Sequence, residues 1–157
     1  MARICTNLQV LRPSRKARRP GDIFVYRMPD QLFRFGRLIS TSAMPLGVPA
    51  NLVYFYKPES HDRFPVPTLS PQSLLVAPVI TNQKPWTLGY FEVLESRPLR
   101  DGDVLPRHCF RDIRGRYFDE HGNRLDHEEE PCGSWGLHSF RTIDDLLSNA
   151  LGLGNAP

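Results

Sequence analysis

The stretch Pro20–Ser40 constrains the fold most, because it holds two strongly apolar runs joined by a short turn. Ile23–Met28 is apolar and β-branched, which is typical of a strand. Pro29-Asp30-Gln31 has the composition of a tight turn, and Leu32–Ser40 follows as a second run with Gly36 inside it. A glycine within a strand indicates a bulge or the close approach of another group. The stretch therefore predicts an antiparallel hairpin, which the rest of the chain must cover because an isolated hairpin is marginally stable.

The remaining chain predicts short strands and one terminal helix. Fifteen prolines among 157 residues argue against long helices. Further strands are predicted at Asn51–Tyr56, Leu74–Ile80 and Trp86–Leu94, and a second hairpin at 107–125. One helix is predicted at about 142–151, where Thr142 can serve as N-cap and apolar residues recur with helical spacing. The predicted fold is mainly β (α+β): a small SH3-like barrel or rolled antiparallel sheet with one C-terminal amphipathic helix.

Charge divides the chain into two predicted parts. Residues 1–19 hold six basic residues and no acidic one, whereas the whole chain has a net charge of +3, so residues 20–157 carry −3. We predict that 1–19 is a basic leader, solvated and flexible, although such a segment can also be a phosphate- or nucleic-acid-binding arm. Residues 20–157 have the length of a single mainly-β domain, and their negative charge argues against nucleic acid as a partner.

The cysteine count and the hydropathy pattern bear on the compartment. Cys5, Cys109 and Cys132 are an odd, small set, which does not indicate a disulfide framework. The N-terminus has no apolar run of signal-peptide length, and nowhere do about 20 apolar residues follow one another. We therefore predict a cytoplasmic protein without a membrane partner. The sequence leaves the oligomeric state open.

Metal-ligating residue types cluster in the last third of the chain, but their spacing is not that of a known site. The cluster comprises His108, Cys109, His121, His127, Cys132 and His138. Nitrogen and sulfur ligands of this kind, with nearby carboxylates, build zinc and dinuclear hydrolytic sites. However, the chain has no CxxC or HxH pair, and no GxSxG, P-loop, HExxH or GxGxxG motif. We assign no catalytic residue, no metal ligand and no cofactor.

Acidic residues supply the other candidate site. A run of glutamates is ordinarily a solvated loop, but it can also form a negative patch that docks onto a basic partner and speeds association. The acidic loop begins at Asp126, and two further carboxylates precede it in the chain. The candidate partner-binding residues are Asp119, Glu120, Asp126, Glu128, Glu129 and Glu130.

The opening hairpin resembles that of the immunity protein 26 family, bacterial proteins encoded beside polymorphic toxins. The resemblance lies in Gly21-Asp22-Ile23-Phe24, in the turn at Pro29-Asp30, and in Phe35-Gly36-Arg37-Leu38-Ile39. Pro85–Tyr90 is similar to the family's mid-chain segment around a tryptophan and a glycine, and the resemblance extends over roughly residues 20–151.

This resemblance implies binding rather than catalysis, because an immunity protein sequesters its cognate toxin. The implied partner is a toxin protein with a basic surface. Some relatives carry a phosphotriesterase label, so one alternative is a metal-dependent hydrolase of phosphotriester type using some of the clustered histidines. A regulatory binding domain of unknown ligand is the other alternative.

Overall fold

A computed structural model describes residues 5–157 and shows a mainly β architecture with an eleven-residue helix near the C-terminus. The elements are β1 (Asp22–Arg27), β2 (Phe33–Ala43), β3 (Ala50–Ser60), β4 (Val79–Thr81), α1 (Lys84–Thr87), β5 (Glu92–Ser96), β6 (Cys109–Arg111), β7 (Tyr117–Phe118), β8 (Arg124–Leu125), β9 (Cys132–Ser134) and α2 (Phe140–Ala150). A 3-10 turn, Asp101–Asp103, lies between β5 and β6. The strands form a large sheet in the order β4-β3-β2-β1-β5 and a small sheet in the order β8-β7-β6-β9.

The large sheet is antiparallel and open. Each of its four neighbouring strand pairs is antiparallel, and β4 and β5 stand at its two edges without pairing to each other in the described residues. The small sheet is mixed, because β9 pairs with β6 in parallel. The predicted mainly β class and terminal helix are therefore confirmed, whereas residues 5–157 form no closed barrel and the SH3-like detail is not confirmed.

The predicted opening hairpin is confirmed as β1 and β2. Their register runs from Ile23 opposite Arg37 to Arg27 opposite Phe33. In the turn, the Asp30 carboxylate accepts a hydrogen bond of 3.0 Å from the Leu32 amide. Gln31 has a positive φ of 68°, a conformation that a turn residue adopts more readily than a strand residue.

Gly36 marks a close approach, as its position in the strand predicts. A β-carbon at this residue would lie 2.2 Å from the ζ carbon of the Phe24 ring. Phe24 is fully buried, stacks on Phe91 at a centroid distance of 4.4 Å, and meets Trp86 edge-on at 5.4 Å. The glycine thus leaves room for an aromatic cluster at the centre of the core.

The predicted strand Trp86–Leu94 is wrong over its first half. The Asn82 side chain accepts a hydrogen bond from the Lys84 amide, and a proline enters the first turn, so that Lys84–Thr87 forms the short helix α1. Trp86 then points into the core from a helical turn rather than from a strand. The strand that follows, β5, begins only at Glu92. The predicted strand Leu74–Ile80 is likewise replaced by β4, which begins after Pro78.

Helix α2 begins earlier than its sequence pattern predicts. Ser139, not Thr142, is the N-cap: its hydroxyl accepts the Thr142 amide at 3.2 Å. Ile143 and Leu147 are fully buried in the same core cluster as Phe24, so the helix covers one face of the large sheet. No helix within residues 5–157 combines the length and the apolar character that crossing a membrane would require.

The N-terminal segment packs against this helix. Asp144 is buried, and its two carboxylate oxygens accept the Asn7 amide at 3.1 Å and the Leu8 amide at 2.7 Å. Leu8 is buried in the core, and the Leu11 amide donates to the Gly89 carbonyl at 2.7 Å. Residues 7–11 of the predicted leader are therefore docked on the domain rather than separate from it.

Candidate partner-binding site

The six predicted carboxylates lie in two connections of the small sheet. Asp119 and Glu120 are in the turn that joins β7 to β8, whereas the other four lie between β8 and β9. Because β8 and β9 stand at opposite edges of this sheet, the segment 126–131 must cross from one edge to the other. The crossing is required by the parallel pairing of β9 with β6, which no tight turn can connect.

Glu120 is engaged inside the molecule. Its Oε2 lies 2.6 Å from His108 Nδ1, and His108 Nε2 lies 2.5 Å from the Tyr54 hydroxyl. The His108 ring thus bridges the Glu120 carboxylate and the Tyr54 hydroxyl, with one ring nitrogen facing each of them. The Tyr54 oxygen in turn accepts the Leu105 amide at 3.1 Å. Tyr54 belongs to β3 and His108 directly precedes β6, so the chain of hydrogen bonds joins the large sheet to the small one.

We call the hydrogen-bonded set Tyr54, His108 and Glu120 the relay. Its environment raises the pKa of Tyr54 and lowers the pKa of Glu120. Burial raises the pKa of Tyr54 to about 12, and the negative charge of Glu120 adds to that rise. Burial alone would also raise the pKa of Glu120, but its hydrogen bond and charge interaction with His108 outweigh this and lower it. The relay therefore keeps a carboxylate ionised and a phenol protonated, and it holds the two sheets together.

Two more predicted residues also have internal partners. Asp119 accepts hydrogen bonds from the His121 and Asn123 amides, both at 2.9 Å, and so fixes the turn between β7 and β8. Glu129 accepts a hydrogen bond of 2.9 Å from the Arg107 guanidinium. Asp119 is thereby committed to the turn, and the charge of Glu129 is offset by Arg107.

Asp126, Glu128 and Glu130 form the remaining set, which we call the acidic trio. All three are exposed, and within residues 5–157 none has a hydrogen-bond or ion-pair partner. The charges of Glu128 and Glu130 reach Cys132 at the start of β9: burial and the neighbouring Cys109 raise the pKa of the Cys132 thiol, and these two carboxylates raise it further. The acidic trio therefore presents uncompensated negative charge to solvent.

A rigid turn presents an apolar side chain near the acidic trio. Ile113, between β6 and β7, is fully exposed. The Asp112 side chain fixes this turn, since it accepts the Arg114 amide at 3.0 Å, the Arg116 amide at 2.8 Å and Arg116 Nε at 2.7 Å. An isoleucine held in water on a preorganised turn contributes nothing to the core, but it can contact a partner at little cost in conformational entropy.

A cavity of about 580 Å³ has both Ile113 and Glu128, one member of the acidic trio, in its lining. Its lining is partly apolar, from Val76, Val79 and Leu146, and partly polar, from Arg111, Glu128 and His138. An apolar pocket with a charged border is the usual arrangement of a protein interface, in which a buried anchor is surrounded by polar residues.

The clustered histidines and cysteines do not converge. His108 is occupied by Tyr54 and Glu120, His127 lies 3.8 Å from Glu129, and His138 lies 3.1 Å from the Ser134 carbonyl. Cys109 and Cys132 are direct neighbours across β6 and β9. In the part of the chain that the structure describes, no three residues of these types are placed to hold a metal ion.

Sequence reasoning missed the relay and the isoleucine. In the sequence, Tyr54 has the pattern of a core residue on an apolar strand. It lies 54 positions from His108, and His108 lies 12 positions from Glu120, so no local pattern connects the three. Ile113 was part of a predicted hairpin. Asp112 and Gly115 on either side of it, in the stretch DIRGR, are the signal that would have placed it on a turn.

Comparison with known proteins relates the chain to a family. A family model described as Immunity protein 26 matches residues 19–119, which is more than half of the chain. The matched region contains Tyr54, His108 and Ile113, and it ends before the acidic trio. Neither a curated protein nor a solved structure matches the chain.

Proposed function

Because the chain belongs to the immunity protein 26 family, we propose that it binds a cognate toxin and neutralises it without catalysis. The family match over residues 19–119 is the observation that carries this proposal. The proposal places the protein in the bacterial cytoplasm, as one component of a polymorphic toxin system. Its partner is then a toxin protein that presents a basic surface.

The acidic trio supports a basic partner surface. Its three carboxylates are exposed and lack partners in the described residues, so their charge is available to an approaching molecule. Opposite charges on two proteins steer their encounter and raise the association rate constant, most strongly at low salt. We propose that the acidic trio supplies this steering.

The cavity beside the acidic trio supports a short-range anchor. Ile113 and the apolar part of the lining offer a surface that would be desolvated on binding. Apolar anchors near the centre of an interface carry a large part of the binding free energy, whereas border charges mainly affect the association rate. In the proposed site, the charges of the acidic trio thus raise the association rate constant, and the apolar contacts lower the dissociation rate constant.

The test measures binding of the purified protein to the purified product of the neighbouring gene. We expect saturable binding whose association rate constant falls steeply as salt concentration rises. The double substitution Glu128→Lys and Glu130→Lys should lower the association rate constant at low salt by about tenfold or more, and should change the dissociation rate constant less.

Asp62→Lys is the control, and it is compared with Glu128→Lys alone so that both variants reverse a single charge. Asp62 is an exposed acid just beyond the C-terminal end of β3, whereas the small sheet contacts the opposite end of the β2–β3 pair, where the Met44 amide donates to the Glu120 carbonyl at 2.8 Å. This variant should leave the association rate nearly unchanged. An equal loss for both variants would remove the acidic trio from the interface, and no binding of the neighbouring product would contradict the proposal.

A further inference from the structure

A second cavity, of about 500 Å³, lies on the large sheet and is rich in arginine. Arg37 comes from β2, Arg97 and Arg100 come from the segment after β5, and Thr68 comes from the long connection between β3 and β4. Asp103, in the 3-10 turn, is the carboxylate in the lining. Three guanidinium groups thus share one cavity with a single carboxylate.

Arg37 forms the buried part of this cavity. It is 4% exposed; its Nη2 donates to the Arg97 carbonyl at 2.9 Å, and its Nη1 lies 3.4 Å from Asp103. Its Nε is buried and has no hydrogen-bond partner among the described residues. A buried donor on a charged group is costly to leave unpaired, and an ion or water commonly explains one in a native protein.

A second buried polar group near Arg37 also lacks a partner. Tyr56 is fully buried on β3, and its hydroxyl has no hydrogen-bond partner within residues 5–157. Burial raises the pKa of Tyr56, and the charges of Arg37 and Asp103 both act on it, so the hydroxyl lies within their electrostatic reach. The neighbouring strands β2 and β3 of the large sheet therefore each carry a buried donor without a partner among the described residues.

The border of the cavity carries further donors. Arg97 is paired with Glu95 at 2.7 Å, which offsets part of its charge. Arg100 is exposed, and its guanidinium has no ion-pair partner in the part of the chain described. The exposed Thr68 adds a hydroxyl that can donate or accept. After the pairs with Asp103 and Glu95 are taken into account, the lining keeps an excess of positive charge.

We propose that this cavity binds a phosphate group, with Arg37 as its buried donor and with Arg100 and Thr68 at its border. Guanidinium groups are suited to phosphate because their planar donors match its oxygens and remain charged at every physiological pH. The volume exceeds that of an inorganic phosphate ion, so the cavity has room for an organic group attached to the phosphate. This site is independent of the toxin-binding proposal, since it uses other residues on the other sheet.

The test is calorimetric titration of the full chain with inorganic phosphate, adenosine monophosphate and adenosine, at constant ionic strength in chloride. We expect saturable binding of both phosphate compounds and none of adenosine. If adenosine monophosphate binds more tightly than inorganic phosphate, part of the cavity contacts the organic group. If the two affinities are equal, the cavity recognises the phosphate alone. No saturable binding of either phosphate compound would overturn the proposal.

Variants at the border locate the binding without disturbing the core. Arg100→Gln should weaken phosphate binding about tenfold, because it removes a charge-assisted contact, and Thr68→Val should weaken it less. Arg114→Gln is the control, because Arg114 is an exposed arginine in the turn beside Ile113. Arg37 is kept, since its loss would leave Asp103 without its guanidinium partner. An equal effect of Arg100→Gln and Arg114→Gln would show that phosphate is attracted by positive charge in general, and it would exclude this cavity as the binding site.

Discussion

Gly36 and Phe24 determine how closely β1 and β2 pack into the core. The Phe24 ring occupies the space that a side chain at position 36 would need, and it stacks there on Phe91. The aromatic cluster around this ring also includes Trp86, Tyr26 and Phe55 through edge contacts. The absence of a side chain at position 36 thus allows the Phe24 ring to take its place among these aromatic rings.

Gly36→Ala should therefore destabilise the protein. The added methyl group would lie 2.2 Å from a ring carbon that other rings hold in place, so the core must shift. We expect a loss of roughly 1–3 kcal/mol in the free energy of unfolding, measured by urea denaturation. Gly102→Ala is the control, because nothing lies within 4 Å of its added methyl. A change below about 0.5 kcal/mol at Gly36 would show that the core adapts freely.

Glu120 makes the stability of the protein depend on acid pH. Its pKa is lowered in the folded state by His108, against the effect of burial, whereas in the unfolded chain it has the ordinary value of about 4.3. A lowered pKa contributes stability above the ordinary value, and this contribution disappears as pH falls through the folded-state value. The contribution is therefore present at neutral pH and absent in strong acid.

Glu120→Gln should remove this dependence. We expect the variant to be less stable than the parent at neutral pH, with the difference shrinking as pH falls below about 4.3, in urea unfolding measured across a pH series. Glu130→Gln, an exposed carboxylate without a partner in the described chain, should differ little from the parent throughout. A Glu120→Gln difference that stays constant with pH would contradict the role of the His108 contact.

At the scale of elements, the sequence predicts well where a local pattern dominates. The opening hairpin, with its two apolar runs and polar turn, lies where the pattern predicts it, and the amphipathic terminal helix is present but begins two residues earlier, at Phe140. The alternating aromatic residues of Trp86–Leu94 predict a strand, yet a turn at Asn82, whose side chain accepts the Lys84 amide, and the proline in the first turn of α1 produce a helical turn. The local preferences of the asparagine turn and the proline outweighed strand propensity there.

Asp144 joins two elements that are distant in the sequence. Its carboxylate on α2 satisfies the amides of Asn7 and Leu8, which pack against the helix. Asp144→Ala should leave two backbone donors unpaired in a largely buried place and cost about 2–4 kcal/mol of unfolding free energy. Its neighbour Asp145 is exposed, so Asp145→Ala should cost much less. Hydrogen exchange at the Leu8 amide would report the same loss locally, and unchanged protection there would refute the docking role.

The turn between β6 and β7 allows affinity to be separated from stability. Ile113 is fully exposed, so Ile113→Ser should leave the free energy of unfolding unchanged within about 0.5 kcal/mol. The same substitution should weaken binding of the neighbouring gene product by about tenfold, mainly through faster dissociation. Val10→Ser alters an exposed residue of the N-terminal segment and should change neither quantity appreciably. Unaltered toxin affinity in Ile113→Ser would exclude this turn from the interface.

At the scale of the whole molecule, the structure is two sheets joined by a buried relay. Tyr54 and His108 connect β3 to the start of β6, and Glu120 completes the connection from the far turn of the small sheet. The predicted acidic residues are thereby divided: some stabilise the small sheet, whereas the acidic trio faces solvent. Composition located the negative charge, but only the fold shows which charges are already paired.

The arginine cavity shows the same limit of sequence reasoning. Arg37 appears in the sequence as one of the residues that resemble the family's hairpin, with no sign that Arg97, 60 positions later, lies beside it. Contacts over such separations arise from the order of strands in the sheet, which no local pattern encodes. The proposed functions therefore rest on the family match and on surfaces formed by residues that are distant in the sequence.

The most direct test of the central claim is titration of the toxic activity of the neighbouring gene product with the purified protein. We expect activity to fall linearly to zero at a stoichiometric ratio, because a tight non-catalytic inhibitor is consumed one for one. The Glu128→Lys variant, mixed briefly at low salt, should inhibit more slowly than the Asp62→Lys control. Undiminished toxic activity at an excess of folded protein would contradict neutralisation by binding.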